Sequence, residues 1–339
     1  MKLAVVILNW NGSALMRKYL PSVVAYSARE GVEVIVADND STDDSVEMLR
    51  REFPGVRLLT LSRNYGFAEG YNRALSGVEA TYYLLLNSDV EVTEGWLDPL
   101  LDYMDSHPEA AACQPKIRSL LDRESFEFAG ASGGFIDRYG YPFCRGRIMA
   151  TVEKDHGQYD TVCPVFWATG AALMIRAADY RAAGGLDGRF FAHMEEIDLC
   201  WRLNSRGRKL VCIPQSVVYH LGGGTLHKKN SRKTYLNFRN NLLMLYKNLP
   251  EGELQHVMRV RGWLDRLAAL SFLLKGSWKE FCAVFRARRE FRKIAPQFLP
   301  QREENLSHTC CSEFPGKTDR SILFAYYVRG IRSFGKLFV

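Results

Sequence analysis

The chain opens on a short unbroken apolar run, Leu3-Ala4-Val5-Val6-Ile7-Leu8, which predicts a β-strand covered on both faces. Asn9-Trp10-Asn11-Gly12 ends the run, and Ser13 stands where a residue caps a helix continuing to Tyr26. Val32 to Ala37 repeats the strand pattern and stops at the polar turn Asp38-Asn39-Asp40-Ser41-Thr42-Asp43. Asp44 or Ser45 then starts a helix with apolar Val46, Leu49 and Phe53. Val56 to Leu61 reads as a third strand, Gly66 to Leu75 as a helix and Tyr82 to Leu86 as a fourth strand. Such alternation through short turns predicts an α/β fold with a mostly parallel central sheet and right-handed crossovers. Ligands bind beyond the carboxyl ends of the strands in sheets of this kind, and three of these strands end in turns rich in Asn and Asp.

After Asp89 the period changes. Residues 96–106 read as a helix, 113–165 as a loop-rich stretch with short strands, and Phe166 to Arg176 as a return to the sheet. Glu195 to Arg206 is a helix closed by Gly207, followed by two strands, Lys209 to Ile213 and Val217 to His220. From about residue 226 the pattern is helical to the end.

Charge sharpens this division. The net charge of +7 conceals an acidic front, net −6 over residues 1–225, and a basic back, net +13 over residues 226–339. We therefore expect two parts, 1–225 and 226–339, with an anionic surface or ligand for the second. The eight cysteines form no CxxC pair and no metal-site spacing, so buried reduced thiols and a reducing cytoplasm are expected. No apolar run approaches the ~20 residues that cross a bilayer, which points to a soluble or peripheral protein.

Candidate chemistry gathers at the strand ends. Asn87-Ser88-Asp89 follows a fully apolar strand and suits a hard divalent cation that joins an acidic turn to a diphosphate. Glu195, Glu196 and Asp198 crowd a helix start, where the helix dipole accounts for some of the charge and a general base for the remainder. His220 ends a strand before Gly222-Gly223-Gly224-Thr225 and is a candidate metal or phosphate ligand. The P-loop and dinucleotide fingerprints are both absent.

In this order, Val-Ile-Leu-Asn-Trp-Asn-Gly (6–12), Val-Ala-Asp-Asn-Asp-Ser-Thr-Asp (36–43), Asn-Tyr-Gly-Phe-Ala-Glu-Gly-Tyr-Asn (64–72), Leu-Leu-Asn-Ser-Asp (85–89), Glu-Glu-Ile-Asp-Leu-Cys-Trp-Arg (195–202) and the His220 segment resemble the family 2 inverting glycosyltransferases. More narrowly, they resemble the bacterial rhamnosyltransferase-like branch. The resemblance spans about residues 3–250 and implies a GT-A fold that transfers a sugar from a nucleoside-diphosphate donor to a glycan or lipid-linked acceptor in cell-surface polysaccharide synthesis. It implies that Asp38, Asn9 and Asn11 line the nucleotide pocket, with Arg63, Asn64 and Asn72 covering the donor. It gives Asn87 and Asp89 the metal turn, for Mg2+ or Mn2+, with His220 as a further ligand. Glu196 takes the place of the base, with Glu195 and Asp198 in contention. Two departures stand out: Asn87 replaces the first acid of the metal turn, and Glu196 is one methylene longer than the usual Asp. A nucleotidyltransferase on a similar sheet, or a non-catalytic membrane-associated relative, are the competing readings.

In the basic back, Trp263, Leu264, Leu267, Leu270, Leu274, Trp278, Phe281 and Phe285 recur at helical spacing among Arg259, Arg261, Arg266, Lys275, Lys279 and Arg286. This pattern favours an anionic membrane surface over plain helix packing or nucleic acid and predicts a peripheral enzyme on the inner face of the cell membrane.

Overall fold

The computed structural model describes residues 1–222, 230–311 and 313–338. Most of the Gly222-to-Thr225 run and the expected boundary after residue 225 therefore lie outside the described residues. The first half contains β1 (Leu3–Asn9), α1 (Ser13–Ser27), β2 (Val32–Asp38), α2 (Ser45–Glu52), β3 (Arg57–Thr60), α3 (Gly66–Ser76), β4 (Tyr82–Leu86), β5 (Val90–Val92) and α4 (Asp98–Ser106). Then come β6 (Ala110–Ser119), five short strands, β7 (Gly134–Asp137), β8 (Pro142–Cys144), β9 (Arg147–Ile148), β10 (Thr151–Val152) and β11 (Cys163–Pro164), then β12 (Ala172–Arg176) and α5 (Ala177–Ala182). The chain continues through α6 (Glu195–Ser205), β13 (Lys209–His220), α7 (Ser231–Asn248), α8 (Glu251–Leu274), α9 (Trp278–Ile294), α10 (Leu299–Ser307), β14 (Lys317–Thr318) and α11 (Ile322–Tyr327).

The main sheet has the order β11-β13-β6-β12-β4-β1-β2-β3, with β5 added beside β13. β1 lies between parallel β2 and β4, and its register sets Asn9 opposite Asp38. The unbroken apolar strands follow from this placement. Ala4 and Val6 of β1 enter one core, and Leu3, Val5 and Ile7 enter the other. The sheet is mostly parallel as expected, β3, β2, β1 and β4 running together, with antiparallel members that make it mixed. β12 runs antiparallel to both β4 and β6, while β6 and β13 pair in parallel.

Two strand readings also change. The stretch taken as loop from residue 113 begins inside β6, whose apolar pattern is broken by Gln114, Pro115 and Lys116. Those three are tolerated because the buried Gln114 amide receives the Thr169 N–H, Pro115 sits by an irregularity in the β13 pairing, and Lys116 reaches Asp155 and Asp160. The two strands read at 209–213 and 217–220 are one strand, β13, with a register shift between Ile213 and Val217. Ser13 lies inside α1 rather than capping it, and its N–H is received by the Asp43 carboxylate at 3.0 Å.

The C-terminal helices share the first core. Leu242 to Leu245 of α7, Phe298, Ile322 of α11 and Leu337 belong to the same buried cluster as Val6 and Tyr83. β14 pairs with β7 at the edge of a five-stranded second sheet. Among the described residues no helix is long and apolar enough to cross a membrane.

Candidate functional site

The β1 and β2 ends are laced together by their own polar side chains. Asn9 donates to Asp38 at 3.0 Å, and the other Asp38 oxygen receives the Ser41 N–H at 2.9 Å. The Asn11 side-chain oxygen receives the Thr42 N–H at 2.6 Å, and Asn39 donates to Asn64 at 3.1 Å. An added Cβ at Gly12 would collide with Asn9, so only glycine lets the loop close over that side chain. Asn9 is buried, and its side-chain oxygen has no hydrogen-bond partner.

Asn87 and Asp89 follow β4, and β13 delivers His220 to them. His220 Nε2 lies 3.1 Å from Asp89 Oδ1 and 3.4 Å from Asn87 Nδ2. On the opposite ring nitrogen, Nδ1 is 3.5 Å from Glu127 Oε1. Burial pulls the imidazolium down, but the two carboxylates outweigh it and hold its pKa up at about 10. Glu127 was missed in the sequence because it stands in an irregular segment with no motif around it. The site thus concentrates negative charge around one imidazole, and a proton or a divalent cation answers that charge. Among the described residues no group of three His, Cys, Asp or Glu forms a protein-only metal site. A carboxylate and an imidazole do suit a cation whose other ligands are diphosphate oxygens and water.

The three carboxylates at the start of α6 have different surroundings. Asp198 is fully buried; it receives Lys247 Nζ at 2.7 Å, Arg202 Nε at 3.0 Å and Asn248 Nδ2 at 2.8 Å. Those partners occupy both of its oxygens and make it a buried ion-pair anchor. Glu195 and Glu196 each keep an oxygen without a partner. Burial, reinforced by the neighbouring Glu196 charge, holds Glu195 well above the ordinary carboxylate range. Burial pushes Glu196 up to about 6, leaving it mostly ionised at pH 7. Glu196 packs on Gly170, where an added Cβ would sit 3.8 Å from the Glu196 Cβ. The next carbonyl, Ala171, receives the Asn87 N–H at 3.0 Å, so the Thr169–Ala171 segment joins the Glu196 helix to the Asn87–Asp89 turn.

The approach to α6 is strained. Phe191, His193 and Met194 have φ of 67°, 72° and 72°, each costing about 1–3 kcal/mol unless the surroundings enforce it. Asn240 of α7 enforces it: its amide nitrogen lies 2.9, 2.8 and 2.8 Å from the carbonyl oxygens of Phe190, Ala192 and His193, which share its two hydrogens. From the other side, the Phe191 carbonyl receives the Phe67 N–H at 2.8 Å. Asn240 and Lys247 lie in the helical tail and carry no sequence signal beyond being polar residues on an amphipathic helix.

Two expected donor contacts lie elsewhere. The Asn72 amide is spent on Leu186 and on the Tyr180 hydroxyl, at 2.7 and 2.6 Å. Arg63, Asn64 and Asn72 line a cavity of about 880 Å³ with Asp187, Lys247 and Asn305, whereas Asn9, Asp38, Asp89, Glu196 and His220 do not line it. Of the three, only Asn64 reaches the β2 turn, through Asn39.

Because the Glu196 pKa is about 6 in the fold against an ordinary value of 4.5, ionising it opposes folding. The stability this group contributes is present below about pH 4.5 and lost as pH rises through 6. Glu196→Gln should therefore be about 1–2 kcal/mol more stable than the parent at pH 8, with the gap closing towards pH 4.5. Denaturant midpoints across that pH range provide the check.

The chain and its fold are similar to known proteins. The model for glycosyl transferase family 2 matches residues 4–151. The N-acetylglucosaminyl-diphospho-decaprenol L-rhamnosyltransferase of Mycobacterium tuberculosis is 28% identical over 236 residues, 64% of this chain and 75% of that protein. S. aureus TarS 1-349 in complex with UDP superposes with a TM-score of 0.56 at 15% identity, over 91% of this chain and 89% of that one. The mannosyltransferase PcManGT from Pyrobaculum calidifontis, in complex with GDP-Man and Mn2+, gives 0.51 at 13% identity over 91% and 84%. With these matches the nucleotidyltransferase reading is set aside: residues 4–151 form a glycosyl transferase family 2 domain, and on its GT-A fold the chain is a glycosyltransferase similar in sequence to rhamnosyltransferases.

Proposed function

We propose that the protein transfers a sugar, with rhamnose the first candidate, from a nucleoside diphosphate to a glycan or lipid-linked acceptor in polysaccharide synthesis, inverting the anomeric carbon. The observation that carries the reading is the pairing of one available carboxylate, Glu196, with the Asp89–His220 turn across the Thr169–Ala171 segment. The mycobacterial relative's name, an L-rhamnosyltransferase acting on a diphospho-decaprenol, supports the donor sugar and the lipid-linked acceptor. The complexes with UDP and with GDP-Man and Mn2+ support a nucleotide donor and a divalent cation.

In this reading Glu196 accepts the acceptor hydroxyl's proton as the new C–O bond forms and the bond to the diphosphate breaks on the opposite face. Its pKa of about 6 suits a base that works near neutrality. Asn9 and Asp38 hold the nucleotide end, Asn9 with an oxygen still to be satisfied. Asp89 and His220 would hold Mg2+ or Mn2+, which when bound supplies positive charge to the leaving diphosphate. Glu195, whose carboxyl burial holds above the ordinary range, stands beside Glu196 at the start of α6. The enzyme would work at the inner face of the cell membrane.

Glu196→Gln should lower turnover by about 10²–10⁴-fold while keeping donor affinity within a few-fold. In the parent enzyme kcat/KM should fall about tenfold per pH unit below pH 6, as Glu196 takes up its proton. A variant with parental turnover, or a rate flat to pH 4.5, would remove Glu196 from the role.

Asp89→Ala is expected to abolish metal-dependent turnover. In thermal-shift titrations with UDP or GDP, the Mn2+-dependent part of the stabilisation should be lost as well. Unchanged Mn2+ dependence in the variant would refute the metal turn.

A further inference from the structure

The α8–α9 hairpin carries an exposed face that its own fold does not use. Trp263, Leu267 and Leu274 of α8 and Trp278 of α9 are 69, 61, 80 and 61% exposed, and Leu270, Leu273 and Phe285 are exposed with them. Trp263, Leu267, Leu270 and Leu274 fall four, three and four residues apart, which stacks them on one side of the helix. Trp278 and Phe285 flank Phe281 on α9, with both ring-centroid separations 5.0 Å.

This face is not a core left open by poor packing, because both helices already have a filled inner side. Leu254, Val257, Arg261, Asp265 and Ala269 of α8, and Ala283, Val284, Ala287 and Phe291 of α9, are buried. Asp265 receives Arg261 from its own helix and Arg288 from α9, which locks the two together. Arg261, grouped by the sequence with the outer cations, belongs to this buried lock, and Leu264 and Phe281 are half-buried.

Charge identifies the occupant. Arg259, Arg266, Lys275, Lys279, Arg286 and Arg289 are exposed around the apolar face. Between Arg259 and Arg289 no Asp or Glu is exposed, since Asp265 is buried and Glu280 half-buried. A second copy docked through a two-fold axis would set this basic rim against itself, and a nucleic acid would leave the leucines in water. A bilayer with anionic headgroups satisfies both the rim and the face, with the two tryptophans at interfacial depth.

We propose that the hairpin from Trp263 to Phe285 is the membrane-docking element, seating its apolar face in an anionic lipid surface. The docking brings the site to a lipid-linked acceptor and in that respect rests on the proposed function. A vesicle experiment contains no sugar, so its outcome is independent of the transfer chemistry.

The test is co-sedimentation of the full chain with phosphatidylcholine vesicles, with and without phosphatidylglycerol. The parent should bind the mixed vesicles, lose most of that binding at about 0.5 M salt, and ignore pure phosphatidylcholine. Leu267→Glu combined with Leu274→Glu changes two exposed positions and should weaken partitioning by at least about tenfold. Its circular dichroism should be unchanged. Parental binding by the double variant, or no binding of the parent to mixed vesicles, overturns the proposal. So does light scattering that shows a dimer which the double variant splits, since the face would then belong to a second copy.

Discussion

A carboxylate without solvent has to be answered by cations, and Asp198 has no solvent at all. Lys247 and Asn248 come to it from α7 and Arg202 from one turn further along its own helix. Lys247 also reaches Asp187 at 2.9 Å, on the segment that leads towards α6. One buried ion cluster thus fixes the start of α6 to the C-terminal helices. Removing one partner from such a cluster typically costs about 3–5 kcal/mol, which makes the join between the two parts of the chain a condition of the fold. Glu196 takes its direction from this anchor, because it stands about 200° around the helix from Asp198, away from the ion cluster.

The strained approach to α6 depends on the same helix. Three non-glycine residues with positive φ are held by the Asn240 amide and by the Phe191 contact with α3. Strain of this kind persists where surroundings over-determine it, and here they belong to both ends of the chain. The basic helical part serves the site from behind as a scaffold, while its outer face remains free for another use.

Much of this was legible in the sequence. β4, α3 and α6 follow from uninterrupted apolar runs and from helix signals that end on glycine, and the polar strand ends mark the edge where Asp38, Asn87 and Asp89 lie. What stayed hidden depended on distant partners. Gln114, Pro115 and Lys116 disguise a central strand because their compensation comes from Thr169, a bulge and two remote aspartates. Glu127 has no neighbourhood signal, and nothing local tells Asn240 or Lys247 apart from polar residues facing water. For Asn72 the motif gave no sign that its amide would be bonded to Leu186 and Tyr180.

In the proposed reaction Glu196 takes the acceptor's proton and no covalent bond forms between sugar and enzyme. The direct measurement is the anomeric configuration of the product, read by proton NMR after transfer from whichever nucleoside-diphosphate sugar the enzyme accepts. Single displacement with Glu196 as base gives a product of inverted configuration. A product that keeps the donor's configuration would require a covalent or front-face route and would contradict the account.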